Sequence, residues 1–358
     1  MSPAPHPPAS AIDPLRPTLL NDFNGQPAVR AHLEIILGGA RARGQLCDHL
    51  LFAGPPGLGK TTLAGIVAHE LSVPMVTTSG PALERPGDLV GLLSSLSGPS
   101  VVFVDEIHAL RRALAELLYP ALEDGKIDVS YGEGTNTRSI SLPLQPFVLV
   151  GATTIAGMLP APLRDRFGYV GRLRAYDTDT LAGIVRRSAT ILELELTEDA
   201  AALVAARSRG TPRVANALLR RVRDYAQSVD AALVDGGVAL AGLDVFEIDE
   251  LGLDSLGREI LEALVGKFNG GPVGITTLAA SVNEAVSTLE TYEPFFMSLG
   301  MVARTPRGRV AMPKAYDHLG IAVPATSAAQ MYLAGSSQGD LFGKEDNGSS
   351  SGDVESGG

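Results

Sequence analysis

GPPGLGKT, residues 54–61, decides the fold: it fits G-x-x-x-x-G-K-[ST] and lies between a strand-like and a helix-like segment. Just upstream, HLLFAG at 49–54 reads as a short buried strand, and a helical pattern begins at Lys60. In such a loop Gly57 and Gly59 let backbone N–H groups turn inward around a phosphate, where the helix N-terminus adds its positive end. Lys60 supplies a point charge for β- and γ-phosphates, and the Thr61 hydroxyl is a ligand for Mg2+. The pattern therefore points to ATP with Mg2+.

The neighbouring sequence supplies the rest of an α/β layer. Residues 28–43 (AVRAHLEIILGGARAR) have helical periodicity; PMVTT, VVFVD at 101–105 and FVLVGATT at 147–154 read as strands, with a helix over 109–124. Apolar strands interleaved with helices predict a doubly wound domain with a mostly parallel sheet. VVFVD ends in Asp105, a carboxylate able to hold Mg2+, and Glu106 follows, placed to polarise an attacking water. The adjacent acidic pair favours hydrolysis over phosphorylation of a small molecule. GATT at 151–154 ends the next strand with hydroxyls, so Thr153 or Thr154 can orient that water. PLRDRF at 162–167 carries Arg164 and Arg166, suited to reach the γ-phosphate of a neighbouring subunit. GTPR at 210–213 opens a helix with Arg213, suited to the γ-phosphate of its own subunit.

Three units with flanking segments follow from pattern: a flexible leader at 1–14, an ATPase domain at 15–174, a small all-α domain at 175–246, a third domain at 247–320, and an acidic Ser/Gly-rich tail at 321–358 with the composition of disorder. In the third domain helices precede MVARTPRGRVAMP, which reads as strand, turn, strand and suggests a winged helix. The net charge of −11 argues against nucleic-acid binding taken alone. However, the last 37 residues hold five acids against one Lys, a net of −4, whereas Arg304, Arg307, Arg309 and Lys314 face only Asp317 between Arg304 and His318. An acidic chain with one local basic cluster suits contact with DNA at one place. The single cysteine, Cys47, rules out an internal disulfide and a cysteine-cluster metal site. No stretch approaches a membrane span and the leader lacks the segments of a secretory signal, so a cytoplasmic protein is expected.

GPPGLGKTTLA, TSGPALERPGDL, FVDEIH, LYPALED, GATT, LRDRFG, RGTPRVAN, LLRRVRD and RTPRGRVA follow one another in a spacing that resembles the RuvB family of AAA+ Holliday-junction branch-migration motors, from about Arg16 to Gly320. The resemblance implies an AAA+ domain, a helical lid and a C-terminal winged helix, assembled as a homo-hexamer around duplex DNA. It implies RuvA as junction-binding partner, RuvC as the resolvase, and Holliday-junction DNA as the object of the work. By likeness Leu15, Arg16, Thr62 and Tyr176 border the nucleotide, with Glu123, Asp124 and Gly125 also at the nucleotide. Arg166 looks like the arginine finger given in trans, and Arg213 resembles the second sensor. Residues 127–142 (IDVSYGEGTNTRSISL) look like the hairpin that grips RuvA; Ile127, Val129 and Tyr131, answered by Ile140 and Leu142, would give it one apolar face. A hairpin packed on its own domain is the other reading of that alternation. Arg304, Arg307 and Arg309 would lie on the wing and neutralise DNA phosphates or enter the minor groove, without reading bases.

The chain departs from the family at Ile155, where GATTRAG has Arg, at Ala109, where DEIHRL has Arg, at Asn24 in a usually aliphatic position, and near Ala285 and Val286, where a basic residue can stand. Other readings of the same motifs are another AAA+ remodeller such as a clamp loader, and a nucleotide-gated DNA scaffold that does not hydrolyse. In the tail, Gln338, Leu341 and Phe342 of QGDLF are similar to the pentapeptide by which bacterial replication and repair proteins bind the sliding clamp.

Overall fold

The computed structural model describes residues 13–131 and 138–324, without the side chains of 129–139. Two compact units divide between Gly252 and Leu253. The first begins with helix α1 (Pro27–Arg43), then β1 (Leu50–Ala53), α2 (Lys60–Glu70), β2 (Met75–Ser79), α3 (Pro86–Ser94), β3 (Ser100–Asp105) and α4 (Arg112–Glu123). A hairpin of β4 (Lys126–Tyr131) and β5 (Arg138–Pro143) leads into β6 (Phe147–Thr153), α5 (Ala161–Arg164) and the edge strand β7 (Tyr169–Arg172).

Five strands form one parallel sheet in the order β2-β3-β6-β1-β7. The three central strands are buried on both faces, which explains their unbroken apolar runs. Their residues alternate between two cores. Leu50, Phe52, Val101, Phe103, Val148 and Val150 face the layer of α1 and α2, while Leu51, Val102, Val104, Phe147 and Leu149 face that of α3 and α4. All five strands run the same way, so β1, β3 and β6 end together at one edge. Gly54 N–H donates to Thr153 O at 3.1 Å across that edge.

The unit closes with α6 (Thr178–Ile191), α7 (Glu198–Ala206), α8 (Pro212–Ser228) and α9 (Gly236–Val245). Across residues 175–246, which the sequence reads as all-α, the structure has these four helices. It also adds α3 and the half-exposed edge strand β7, neither of which has a strong apolar period. The second unit holds α10 (Ser255–Glu262), α11 (Ile275–Ser281), α12 (Val286–Ser298), the hairpin β8 (Val302–Thr305) with β9 (Gly308–Ala311), and α13 (Pro313–His318). Val273 pairs with Arg309 on the far side of β9, so the wing is three chains wide at that point. Among the described residues no helix is long and apolar enough to cross a membrane.

Candidate active site

The strand-end edge gathers the phosphate loop, the acidic pair and the threonines. Gly57 and Gly59 adopt φ of +81° and +100°, and Cβ atoms there would meet Arg213 Cβ at 3.2 Å and the Phe23 ring at 3.0 Å. Glycine is thus required twice over, by backbone conformation and by space. Lys60 opens α2 and is buried; its Nζ donates to Gly54 O at 2.6 Å and Pro55 O at 3.0 Å, inside the mouth of the loop. Burial pulls its ammonium below the ordinary lysine range, against the opposing pull of Glu106 and Asp105. A cationic nitrogen bound only to carbonyls, at a helix N-terminus, is a fitting seat for a polyphosphate.

Asp105 and Glu106 sit where β3 stops. Asp105 Oδ1 accepts from Glu106 N–H at 3.0 Å. Glu106 itself is left-handed, with φ and ψ of 47°, a conformation that costs a non-glycine residue energy and is common at functional sites. Its Oε2 accepts from Thr154 N–H at 3.1 Å and Thr154 Oγ1 at 3.0 Å. Of the two threonines, then, Thr154 is the one that faces Glu106. Thr153 is fully buried and turned the other way: its Oγ1 accepts from Ile155 N–H at 3.0 Å and lies 2.9 Å from His108 Nδ1. His108 Nδ1 is also 3.2 Å from Glu106 Oε2, a bridging role that sequence reasoning missed although FVDEIH contains it.

The left-handed Glu106 explains a glycine that the sequence showed only as a signature. A Cβ on Gly80 would lie 2.4 Å from the Glu106 carbonyl oxygen. Gly80 N–H also donates to Asp105 O at 2.7 Å, tying the end of β2 to the acidic pair.

A cleft of about 430 Å³ opens over the loop, lined among others by Leu15, Arg16, Gly57, Gly59, Lys60, Thr61, Thr62, Asp105, Glu106, Tyr176 and Arg213. The sequence-derived nucleotide residues of the loop, the acidic pair and the lid therefore converge. Arg213 N–H reaches Gly57 O at 3.4 Å, and Tyr176 Oη donates to Leu58 O at 3.3 Å. Burial pushes the Tyr176 phenol up to about 12, so it stays a donor at any physiological pH. Arg187, Asn216 and Arg220 also line the cleft, and the sequence carried no role for them. Arg187 donates to Leu15 O at 3.0 Å, and Arg220 pairs with Asp13 at 2.7 Å. Asp13 was expected in a flexible leader; instead it is clasped to α8. Burial raises its pKa, but the Arg220 and Leu15 hydrogen bonds outweigh that and hold it low.

Thr61 and Asp105 offer a hydroxyl and one carboxylate. Among the described residues no three His, Cys, Asp or Glu side chains gather as a metal cage. That sparse donor set suits Mg2+, which takes its remaining ligands from water and phosphate.

Glu123 and Arg166 do not line the cleft. They lie together: Arg166 Nη2 is 2.9 Å from Glu123 Oε1, Nη1 donates to Pro162 O at 2.6 Å, and the guanidinium stacks 4.4 Å above the Tyr119 ring. Asp124 and Gly125 follow Glu123 in the exposed turn into β4. In the hairpin, Ile127 pairs opposite Leu142 and Val129 opposite Ile140. Ile127 is buried and Leu142 partly so against the ATPase core, whereas Ile140 is 47 % exposed. The side chains of Val129 and Tyr131 lie outside the described residues, as do Gln338, Leu341 and Phe342.

In the second unit the three wing arginines separate. Arg304 and Arg307 are exposed, Arg307 at the turn where its N–H donates to Thr305 Oγ1 at 3.2 Å. Arg309 corrects the expectation that all three face outward: its Nε and Nη2 donate to Glu293 Oε1 at 2.6 Å and Oε2 at 3.0 Å. The two side chains are only 12 % and 13 % exposed. Arg309 stands directly opposite Arg304 in the β8–β9 register. Two like charges there would repel, and Glu293 removes the conflict by neutralising one of them.

A phosphate loop, an acidic pair two strands away, polar residues ending the strand between them and a four-helix lid carrying an arginine define an AAA+ P-loop ATPase. The chain matches the family model described as the Holliday junction DNA helicase RuvB P-loop domain over residues 15–173, the RuvB AAA lid domain over 176–249 and the RuvB C-terminal winged helix domain over 250–320. It is 51 % identical over 334 residues to the Holliday junction branch migration complex subunit RuvB of Paenarthrobacter aurescens, covering 93 % of this chain and 92 % of the relative. It is 54 % identical over 311 residues to that of Corynebacterium jeikeium, covering 87 % and 88 %. Among solved structures, the Thermotoga maritima RuvB Holliday junction branch migration motor matches with a TM-score of 0.78 and 44 % identity, over 87 % of this chain and all of that one. The chain belongs to the RuvB family.

Proposed function

We propose that the chain is an ATP-driven DNA motor that moves the branch point of Holliday junctions together with RuvA, working as a cytoplasmic six-membered ring around duplex DNA. One observation carries the ring: Arg166, the family-type finger, stands outside the chain's own nucleotide cleft, so it serves a neighbour's. RuvC is the further partner that would act on the same junctions.

Lys60 and the N–H groups at the start of α2 bind the phosphates. Thr61 and Asp105 hold Mg2+, which when bound offsets negative charge on the phosphate oxygens. Thr154 and His108 engage Oε2 of Glu106, so Oε1 is the atom that accepts the proton of the attacking water. Arg166 from the adjacent subunit meets charge developing on the γ-phosphate. Arg213 rides on α8 with its N–H against Gly57, so a change at the phosphates reaches the lid directly. Arg304 and Arg307 contact DNA phosphates, which suits movement along any sequence.

The deciding experiment is branch migration of a synthetic four-way junction with cognate RuvA, ATP and Mg2+. Conversion to separated duplexes, dependent on all three, is expected; ATP turnover that neither RuvA nor branched DNA stimulates would sink the reading. Attachment to a sliding clamp through the tail is a separate part of the proposal. A peptide of residues 335–344 should bind the clamp and lose binding when Leu341 and Phe342 become Ala.

A further inference from the structure

Arg166 has no helix of its own. It follows the single turn of α5, in a stretch where Arg164 is exposed and only 3.9 Å from Asp165. A finger in such a place needs an external platform, because a long side chain gains rate only if its orientation is set before the phosphate arrives. The platform is the last turn of α4. Tyr119 and Glu123 stand four residues apart and so share one face of that helix.

The two contacts differ in kind. Glu123 occupies Nη2 and neutralises the charge, so it must release Arg166 before the finger can meet an anion. Tyr119 offers only its ring face, 4.4 Å from Cζ, and leaves every N–H donor available. Arg166 Nη1 also donates to Pro162 O at 2.6 Å, whereas Nε is buried with no hydrogen-bond partner, so the guanidinium is held by its face and its Nη edge rather than by saturation of its donors.

We propose that Tyr119 is the positioning residue of the arginine finger: its ring keeps the Arg166 guanidinium in register toward the neighbouring subunit's nucleotide while Glu123 gives way. The inference rests on the reading of Arg166 as a finger acting in trans.

The test uses the full-length protein on junction DNA with RuvA, ATP and Mg2+. Tyr119→Leu, and Tyr119→Met as a second non-aromatic variant, should lower kcat roughly 5- to 30-fold. Affinity for a fluorescent ATP analogue should stay within about twofold, since the chain's own cleft is untouched. Tyr119→Phe should retain most of the turnover. Mixing Tyr119→Leu with Glu106→Gln subunits should restore activity, because the second variant lends an intact finger to the first variant's intact pocket. Turnover that stays low after mixing, or a Tyr119→Phe as impaired as Tyr119→Leu, overturns the proposal. Full turnover by Tyr119→Leu while Arg166→Ala is inactive overturns it too, leaving the finger in place. Full turnover by Arg166→Ala removes the finger reading itself, and the inference with it.

Discussion

The phosphate-loop edge and the wing both concentrate charge, yet they assign residues to roles in opposite ways. At the loop, residue type and spacing settle the role: a lysine after two positive-φ glycines at a helix N-terminus faces the mouth of the loop. On the wing three arginines within six residues look equivalent, and a glutamate 16 positions upstream separates them. Backbone-dictated sites are readable locally; side-chain-dictated sites depend on whatever tertiary partner arrives.

The largest expected effect tests the first half of that contrast. Glu106→Gln should retain ATP and slow hydrolysis by roughly 10²–10⁴-fold, the usual worth of a general base, whereas Lys60→Ala should lose nucleotide binding itself. Equilibrium binding beside single-turnover kinetics separates the two. Equal loss of binding in both variants would break the division of labour.

The wing supplies the next. Glu293→Gln or Arg309→Ala leaves one partner of a buried ion pair uncompensated, at a cost of about 3–5 kcal/mol visible in denaturant unfolding. Replacing both by Leu and Met should recover most of it. Arg304→Ala and Arg307→Ala should each leave stability within about 0.5 kcal/mol and lower the salt slope of DNA binding by roughly one. If Arg309→Ala changed the salt slope and not the stability, Arg309 would be a DNA contact after all.

Gly80→Ala sits between the extremes. Its new Cβ would displace the Glu106 carbonyl, and a misplacement of that order can lower turnover about 10²-fold while the fold and nucleotide affinity survive. Unchanged kcat would show that the Gly80–Glu106 contact relaxes freely.

The smallest effect is a pH dependence. His49 Nδ1 accepts from Leu149 N–H at 3.0 Å, which leaves Nε2 to donate to Leu122 O at 3.2 Å. Burial holds its pKa below the ordinary value, against the Leu122 hydrogen bond and nearby Asp48. Its contribution is therefore fully present above the unfolded imidazole value of about 6.5 and is lost as pH falls below it, since the unfolded chain binds the proton first. Thermal melts of wild type and His49→Gln should converge between roughly pH 7 and 5; parallel curves would remove His49 as the cause.

Much of the first unit was legible because its physics is local. Central strands buried on both faces must be continuously apolar, so β1, β3 and β6 declared themselves. The edge strand β7 and α3 did not, since they are short and bury few apolar residues: Gly171 alone in β7, and Leu89 and Leu93 in α3. The cleft's loop residues were readable, whereas Arg187, Asn216 and Arg220 were not: on an amphipathic helix a cleft-lining arginine has the pattern of any solvated one.

By itself the sequence determined the parallel sheet, the phosphate loop, the acidic pair and the family, because those follow from hydrophobic period, glycine conformation and motif order. Tertiary structure alone decided between Thr153 and Thr154, clasped Asp13 to α8, parked Arg166 on Tyr119 and Glu123, and locked Arg309 to Glu293. In each case the choice turns on a contact between residues distant in the chain, and the direction of a long polar side chain has no signature until its partner is brought within hydrogen-bond reach.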